Sequence, residues 1–407
     1  MLRLWHTIPA ASLALAAFLV GPNGDAEPPA DTPKLPGARS VIRAAEHPSL
    51  QAAIDALPAE GGTVVLPPGR FELTQPLVIT RGDALIRGSG PATHLHNANA
   101  DGKPAILIQH PAGEKRPAQE RLWRIQLADF RLTGNEKSGD GILADNINEI
   151  YLHGLSISDH GGNGVTLDEC YEDPRIADCL FTYNKQVGVK LIGCHDIVVS
   201  ANQFEENRDA LHCLDGFNLC MTGNNVDDHL GEGVRIENTY GSVVSGNMIE
   251  ECAAAAVVLD RDCYGITLSA NVIAHNGAGI DLRDAHGCAV SANTFTLLKA
   301  DAVRVGPDSG RITITGNNFS NSYIGDGKVK RRTDDLAAAG LVLESTRDVA
   351  VSGNLFSSLT TNAVELRGEP STDVLFTGNV LTDVETDAPV DVPRDDLPSS
   401  RLNPSSK

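Results

Sequence analysis

Ser245-Gly246-Asn247, which follows the apolar pair Val243-Val244, is one copy of a three-residue phrase that recurs along the chain. Each copy begins with Ser or Thr, has Gly or Ala in the middle and ends in Asn. The asparagines of the eight copies are Asn202, Asn224, Asn247, Asn271, Asn293, Asn317, Asn354 and Asn379. They are 22 to 25 residues apart, with one spacing of 37, and a period of this length is the signature of a solenoid.

A second element of each repeat is a strand-like run that opens with Gly or Ala. Gly233–Ile236 and Gly279–Leu282 are examples, in which apolar residues alternate with charged ones. Alternation with a period of two indicates strands rather than helices. One repeat then holds two or three short strands joined by turns, and it has too few residues to bury its own apolar face. Each repeat must stack on its neighbours, which predicts a parallel β-helix.

The chain at this point resembles the right-handed β-helix superfamily of pectin and pectate lyases, over roughly residues 47 to 385. Pro48–Pro58 has the apolar spacing of a short helix, with Ser49 as its N-cap, and Gly61–Phe71 is similar to the first strand and turn of the family. The resemblance implies an all-β, single-stranded, right-handed parallel β-helix solenoid. It also implies that the helix covers the N-terminal end and shields strand edges.

The two ends of the chain differ in composition from the repeats. Residues 1–26 have the pattern of an export signal peptide, with Arg3, an apolar stretch from Ile8 to Val20, and Ala26 at a plausible cleavage position. We therefore expect a secreted or periplasmic protein without a membrane span. A Pro/Ala-rich linker at 27–46, the β-helix domain at 47–385 and a disordered tail at 386–407 complete the predicted organisation.

The overall charge limits the possible partners. The formal net charge is −20 over 407 residues, which argues against nucleic acid, since neutralising phosphates requires a basic surface. A local basic patch can still bind an anionic polysaccharide. The expected molecule is one elongated domain and a monomer.

The recurrent asparagines are interpreted as structural. A buried turn leaves backbone groups that need partners, and a stacked asparagine can supply them. A functional site is therefore sought where outward positions depart from the repeat.

Three outward positions form such a departure. Aligning the strands by their opening Gly or Ala places Lys190, His212 and Arg235 at one position of three consecutive repeats, about 4.8 Å apart. Like charges on neighbouring strands destabilise a sheet, so a column of this kind is not explained by stability. We interpret it as a binding site for an anion. Carboxylates lie just beyond it on the same or adjoining repeats: Asp215, Glu237 and Asp260.

These residue types fit a polysaccharide lyase acting on an acidic polysaccharide. β-Elimination at a uronate needs neutralisation of the carboxylate, a base for the C5 proton and an acid for the leaving oxygen. Lys190 or His212 could be the base, and Arg235 could neutralise the carboxylate. Two alternatives stay open: an inverting glycoside hydrolase that uses paired carboxylates, and a non-catalytic solenoid that binds a glycan or a cell surface.

Other clusters carry weaker expectations. Asp227 and Asp228 could bind Ca²⁺ through their carboxylates, although Asp is also a common turn residue. Cys170 and Cys194 occupy one position of adjacent repeats, and the sequence leaves open whether they are bridged. One position holds the rings of Tyr171, His195, Phe217, Tyr240 and His286, which could stack on one another or on a sugar.

Overall fold

The computed structural model describes residues 35–113, 115–320 and 339–387. The predicted signal peptide, the first part of the linker, residues 388–407 of the predicted tail and the basic insertion with Lys328, Lys330, Arg331 and Arg332 lie outside these residues. Within them the chain is a right-handed parallel β-helix, as predicted.

One face of the solenoid is a parallel sheet, which we call the site sheet, to which each coil contributes one strand. Among the described residues it has twelve strands. In chain order they are Leu77–Ile79, Ile106–Ile108, Ile142–Asp145, Val165–Asp168, Val187–Ile192, Asp209–Leu214, Val234–Glu237, Ala255–Asp260, Ala278–Leu282, Val303–Val305, Leu341–Glu344 and Val364–Arg367.

The remaining strands form the rest of the wall, two per coil in most repeats. In the described ranges 27 strands belong to this large sheet. They are Ser40–Arg43, Gly62–Val65, Gly69–Leu73, Ala84–Asn97, Ile125–Thr133, Tyr151–His153, Ser156–Ser158, Arg175–Ala177, Leu180–Thr182, Val198–Ser200, Gln203–Glu205, Cys220–Thr222, Asn225–Asp227, Val243–Ser245, Met248–Glu250, Cys263–Tyr264, Thr267–Ser269, Val272–Ala274, Ala285–His286, Ala289–Ser291, Thr294–Thr296, Gly310–Thr315, Asn318–Ser320, Arg347–Ser352, Leu355–Ser357, Thr372–Thr377 and Val380–Thr382. Leu122–Trp123 pairs separately with Ile147–Asn148.

The first strand, Ser40–Arg43, lies within the stretch that composition assigns to the linker. It pairs in parallel with Gly62–Val65 along its whole length, so the solenoid wall begins before residue 47. Ile42 is the residue of this strand that faces the core. One inward apolar residue in four is too weak a pattern to mark a strand in the sequence.

The core is a column of inward apolar side chains that repeat from coil to coil. Phe295, Phe319 and Phe356 show the principle: they occupy equivalent positions, are buried, and their rings stack at 4.8 and 4.6 Å between centroids. Parallel strands in register place like residues above one another, so each coil closes the apolar face of the next.

The asparagine phrase forms the predicted ladder inside a turn of the large sheet. The backbone N–H of Asn247 and its Nδ2 both donate to Oδ1 of Asn271 in the next coil, each at 3.0 Å. The same Nδ2 donates to the carbonyl of Met221 at 3.2 Å. Gly246, which precedes the asparagine, has a φ of 67°, a left-handed conformation that favours Gly, although Ala201, Ala270 and Ala292 adopt it in their copies.

The predicted helix spans Leu50–Asp55, and Ser49 caps it by accepting from the backbone N–H of Ala52 at 3.1 Å. Its Gln51 side chain accepts from the N–H of Val78 at 2.8 Å and donates to the carbonyl of Val78 at 3.0 Å. Val78 lies in the first strand of the site sheet, so the helix satisfies backbone groups at that strand edge. Two 3₁₀ turns, Ala44–Glu46 and Ala118–Glu120, are the other helical segments in the part described.

All eight cysteines have free thiols, so Cys170 and Cys194 are not bridged. Both are buried in the core, where they pack as apolar residues. No helix among the described residues has the length and apolarity needed to cross a membrane.

Candidate functional site

The predicted column is present on the outer face of the site sheet. Lys190 pairs in register with His212, and His212 pairs with Arg235. The column continues with Thr166 on one side and Val258 on the other. Alternate residues of these strands face the core, which turns the intervening polar side chains outward.

Glu237 links two members of the column. Its Oε2 lies 2.7 Å from Nε2 of His212, and its Oε1 accepts from Nη2 of Arg235 at 2.9 Å. Burial raises the pKa of Glu237, but the hydrogen bonds from Arg235 and His212 outweigh it and lower the pKa to about 2. Glu237 is therefore a carboxylate held in its ionised form. It accepts from Nε2–H of His212, which leaves Nδ1 as the basic nitrogen.

Arg235 is engaged by three carboxylates. Besides Glu237 it contacts Glu232 at 3.0 Å and Asp260 at 3.5 Å, and its pKa is raised, first of all by the hydrogen bond to Glu237. The predicted role of Arg235, neutralising a substrate carboxylate, would require it to leave these partners.

The same pattern extends along the face towards the C-terminus. Arg283 contacts Asp281 at 2.7 Å, Glu232 at 3.2 Å and Asp260 at 3.7 Å. Arg304 then joins Asp281 at 2.8 Å to Glu344 at 2.6 Å. This ion-pair network neutralises its arginines and leaves the face C-terminal to His212 with an excess of carboxylates.

Lys190 differs from these arginines. Its side-chain ammonium forms no hydrogen bond or ion pair with any residue that the structure describes. It lies half-buried directly beside His212, so its ammonium is a cation available to a ligand. Lys190 and the His212–Glu237 pair together place a free cation next to an oriented base.

Asp215 and Asp260 have different surroundings. Asp260 pairs in register with Glu237 and belongs to the network. Asp215 follows the strand Asp209–Leu214 in a left-handed turn, is exposed, and accepts from the side-chain amide of Asn238 at 2.8 Å. The structure therefore leaves Asp215 outside the site. It brings together the other five candidate residues, which are Lys190, His212, Arg235, Glu237 and Asp260.

A loop borders the N-terminal part of this face. Residues 115–121, which we call the strap, lie against the ends of two site-sheet strands. Nζ of Lys115 contacts Asp168 and Glu169, each at 3.0 Å, and the guanidinium of Arg121 lies 3.9 Å from the centre of the Tyr171 ring. The strap thus lies at the end of the strand that precedes the Lys190 strand.

The predicted aromatic position forms a stacked column along the exit of the site sheet. Ring centroids are 4.0 Å apart for Tyr171 and His195, 3.6 Å for His195 and Phe217, and 5.2 Å for Phe217 and Tyr240. Tyr264 also belongs to the column, between Tyr240 and His286. The sequence alignment missed it because Arg261 and Asp262, both left-handed, add one residue to that turn.

The candidate calcium residues lie at the turn that enters the site sheet. Oxygens of Asp227, Asp228 and Glu251 lie within 4.8 Å of one another. Burial, followed by repulsion from Glu251, raises the pKa of Asp228 to about 6. A second group of this kind contains Asp262, Asp284 and His286.

Comparison with known proteins identifies the family. The model of the right-handed beta helix region matches residues 140–295 and 256–388, which together cover more than half of the chain. The chain belongs to the right-handed beta helix family. No curated protein matches it in sequence.

Solved structures share the fold at low identity. The tailspike protein of Escherichia coli bacteriophage HK620 in complex with a pentasaccharide is 13% identical, covers 82% of this chain and 74% of its own, and gives a TM-score of 0.55. DFA-IIIase from Arthrobacter chlorophenolicus is 14% identical, with 84% and 87% covered and a TM-score of 0.52. The A-module of the Azotobacter vinelandii mannuronan C-5 epimerase AlgE4 is 18% identical, with 82% and 91% covered and a TM-score of 0.47. At these identities the two likenesses with TM-scores above 0.5 show the fold alone.

Sequence reasoning missed two contributors to the site. Glu232 precedes the strand Val234–Glu237 and accepts a hydrogen bond from Arg235 within it. The sequence signal for this contact is the spacing of three residues between the two. The strap position depends on Lys115 meeting Asp168, 53 residues away in the chain, and no local pattern predicts that contact.

Proposed function

We propose that this protein is an exported enzyme that acts on an acidic polysaccharide, by β-elimination at a uronate residue. The observation that carries the proposal is the His212–Glu237 pair, with Nε2 and Oε2 2.7 Å apart, directly beside Lys190. The ammonium of Lys190 has no hydrogen-bond or ion-pair partner among the described residues. A uronate presents an anionic carboxylate next to a weakly acidic C5 proton. The site offers a cation for the first and a base for the second.

The roles follow from the geometry. Glu237 accepts the proton on Nε2 of His212, so Nδ1 carries the lone pair that takes the C5 proton. Lys190 binds the uronate carboxylate and stabilises the negative charge that develops as this proton leaves. The electron pair of the C5–H bond forms the C4–C5 double bond, the bond from C4 to the glycosidic oxygen breaks, and that oxygen takes a proton from solvent. Lys190 thus takes the neutralising role that the sequence suggested for Arg235.

The hydrolase alternative has less support at this face. Inverting hydrolysis needs one protonated carboxyl as general acid. The pKa of Glu237 is lowered to about 2, and Asp260 is bound by both Arg235 and Arg283. Glu237 is therefore not suited to donate a proton near neutral pH, and Asp260 is already engaged by two guanidinium groups.

Activity on alginate, polygalacturonate and chondroitin, with neutral glycans for comparison, tests the proposal. Formation of unsaturated uronate, followed by absorbance, is expected for at least one acidic polymer, and His212→Gln should reduce it about a thousandfold. His153→Gln is the matched control, because His153 lies on the large sheet and stacks on Tyr151.

Three outcomes would contradict the proposal. New reducing ends without unsaturated product would indicate hydrolysis. Binding without any product would indicate a non-catalytic solenoid. Unchanged activity in His212→Gln would show that another residue is the base.

A further inference from the structure

The large sheet carries a group of outward polar side chains in its N-terminal coils. Gly69–Leu73, Ala84–Asn97 and Ile125–Thr133 are neighbouring parallel strands of this sheet. Leu95 and Leu132 of these strands are buried in the core, so the residues on either side of each face outward. Six polar residues stand there in register as two columns of three, which we call the outer grid: Arg70, His94 and Arg131 form the first column, and Glu72, His96 and Thr133 form the second.

The first column concentrates positive charge around His94. The guanidinium of Arg131 is exposed and forms no hydrogen bond or ion pair with any described residue, whereas Nε of Arg70 donates to Glu72 at 2.7 Å. Burial, followed by repulsion from Arg131, Arg70 and His96, lowers the pKa of His94, and the opposing attraction of Glu72 is the weakest of these effects. Both guanidinium groups therefore act on the His94 ring. Cations in register on neighbouring strands destabilise a sheet, so stability does not explain the column.

Hydrogen bonds in the second column orient the His94 ring. Oγ1 of Thr133 lies 2.8 Å from Nε2 of His94 and 2.8 Å from Nδ1 of His96, and its single proton can serve only one of them. Glu72 lies 3.8 Å from Nε2 of His96 and favours a proton there. Thr133 then donates to Nδ1 of His96 and accepts from Nε2–H of His94. The lone pair of neutral His94 is thus on Nδ1, which has no partner among the described residues.

An oxyanion fits this arrangement better than other ligands. Its oxygens accept hydrogen bonds from the guanidinium of Arg131, which repels a metal cation. Its negative charge also offsets the repulsion that keeps His94 neutral, so the ring takes up a proton and Nδ1–H donates to the same anion. A ligand reaches the grid directly from solvent, because Arg131 is exposed and the His94 ring is half-buried.

We infer that the outer grid is a second anion site, in which Arg131 and His94 together bind an oxyanion of the carboxylate, sulfate or phosphate type. The site lies on the large sheet, whereas Lys190 and His212 lie on the site sheet. The inference goes beyond the proposed function and does not depend on it. It also makes a distinctive prediction, since binding must be accompanied by proton uptake.

Calorimetric titration of sulfate, phosphate and galacturonate at pH 7 tests the inference. The Lys190→Ala protein is used throughout, so that the cation of the site sheet is absent. We expect sulfate to bind with a Kd in the millimolar range, and its binding heat to depend on the ionisation enthalpy of the buffer, with uptake of up to about one proton per anion. Adding Arg131→Gln or His94→Gln should weaken binding at least about fivefold, and His94→Gln should also abolish the proton uptake.

Two control variants separate the site from general charge effects. Arg131→Lys keeps a cation and should bind sulfate within about threefold of its parent. Arg347→Gln removes another exposed guanidinium of the large sheet, in the C-terminal strand Arg347–Ser352, and should leave binding unchanged. Preference for galacturonate would support a site for polysaccharide carboxylates, whereas preference for sulfate or phosphate would support a site for those ions or their esters.

Four outcomes would overturn the inference. They are absence of binding by all three anions, unchanged binding in both Arg131→Gln and His94→Gln, equal weakening in Arg347→Gln, and binding without proton uptake. The last would show that His94 takes no part. These titrations leave the lyase proposal untouched, because Lys190 is absent from every protein used, so failure of one does not imply failure of the other.

Discussion

Glu237→Gln is the most informative single change, because Glu237 is shared by Arg235 and His212. The pKa of Glu237 is lowered from 4.5 to about 2, and each unit corresponds to about 1.4 kcal/mol, so folding favours the ionised form by about 3 kcal/mol. Only 9% of the side chain is exposed, so solvent screens little of this. Gln keeps the shape but loses the charge. We expect the free energy of unfolding at pH 7 to fall by about 1 to 3 kcal/mol.

The lowered pKa of Glu237 also predicts how the stability difference between the two proteins changes with pH. A carboxyl whose pKa is lower in the folded state stabilises fully above its unfolded value, near pH 4.5, and this stabilisation is lost as the pH falls towards 2. Urea unfolding followed by circular dichroism should therefore show a difference between wild type and Glu237→Gln that shrinks from pH 7 to pH 2. Taking the difference between the two proteins cancels the titration of the carboxyls that do not share Arg235 with Glu237.

Asp215→Asn is the matched control, since Asp215 is exposed and outside the ion-pair network. We expect its effect on stability to stay within about 0.5 kcal/mol at either pH. A Glu237→Gln effect that is equally large at pH 7 and pH 2 would refute the electrostatic explanation and indicate a packing defect instead.

Three further predictions follow from other parts of the molecule. Lys190→Ala should raise the KM for an acidic polymer at least about tenfold, whereas Lys190→Arg keeps the cation and should change it little; equal loss in both variants would contradict a role based on charge. Asn247→Ala should lower the free energy of unfolding by about 2 to 4 kcal/mol, measured in urea, because it leaves ladder groups unpaired, and a loss below 1 kcal/mol would argue against the ladder as a stabilising element. The raised pKa of Asp228 means that wild-type stability falls as the pH rises from about 4 through 6, so Asp228→Asn should melt at a higher temperature than wild type at pH 7 without calcium. Calcium should stabilise only the wild type, and no gain on adding calcium would rule out the predicted cation site.

The fold was predictable because each coil of the solenoid corresponds to one repeat of a recognisable sequence pattern. The period of the asparagine phrase sets the coil, and the alternation in runs such as Gly233–Ile236 sets which side chains face outward. The period and the alternation together predict which residues lie beside His212 in the neighbouring coils. The same count misplaces a residue where a turn is one residue longer, as it is before Tyr264.

The composition of the site was predictable, but its bonding was not. Register places Lys190, His212 and Arg235 in one column, yet it cannot show that a guanidinium reaches three carboxylates while an ammonium reaches none. Those outcomes depend on side-chain rotamers and on Glu232, a turn residue outside the strand alignment. The position of the strap is harder still to predict from the sequence, because its contacts join segments about fifty residues apart.

The asparagine ladder also affects how this chain can change in length. The bond from the N–H of Asn317 to Asn354 is 2.9 Å across 37 residues, as good as the 3.0 Å bond from Asn224 to Asn247 across 23. The ladder therefore depends on the number of coils and is indifferent to the number of residues in each one. Whole repeats or long loops can be gained or lost while the ladder stays continuous. Deletion of the whole coil that carries His212, between the coils of Lys190 and Arg235, would thus give a protein that folds but has lost its site.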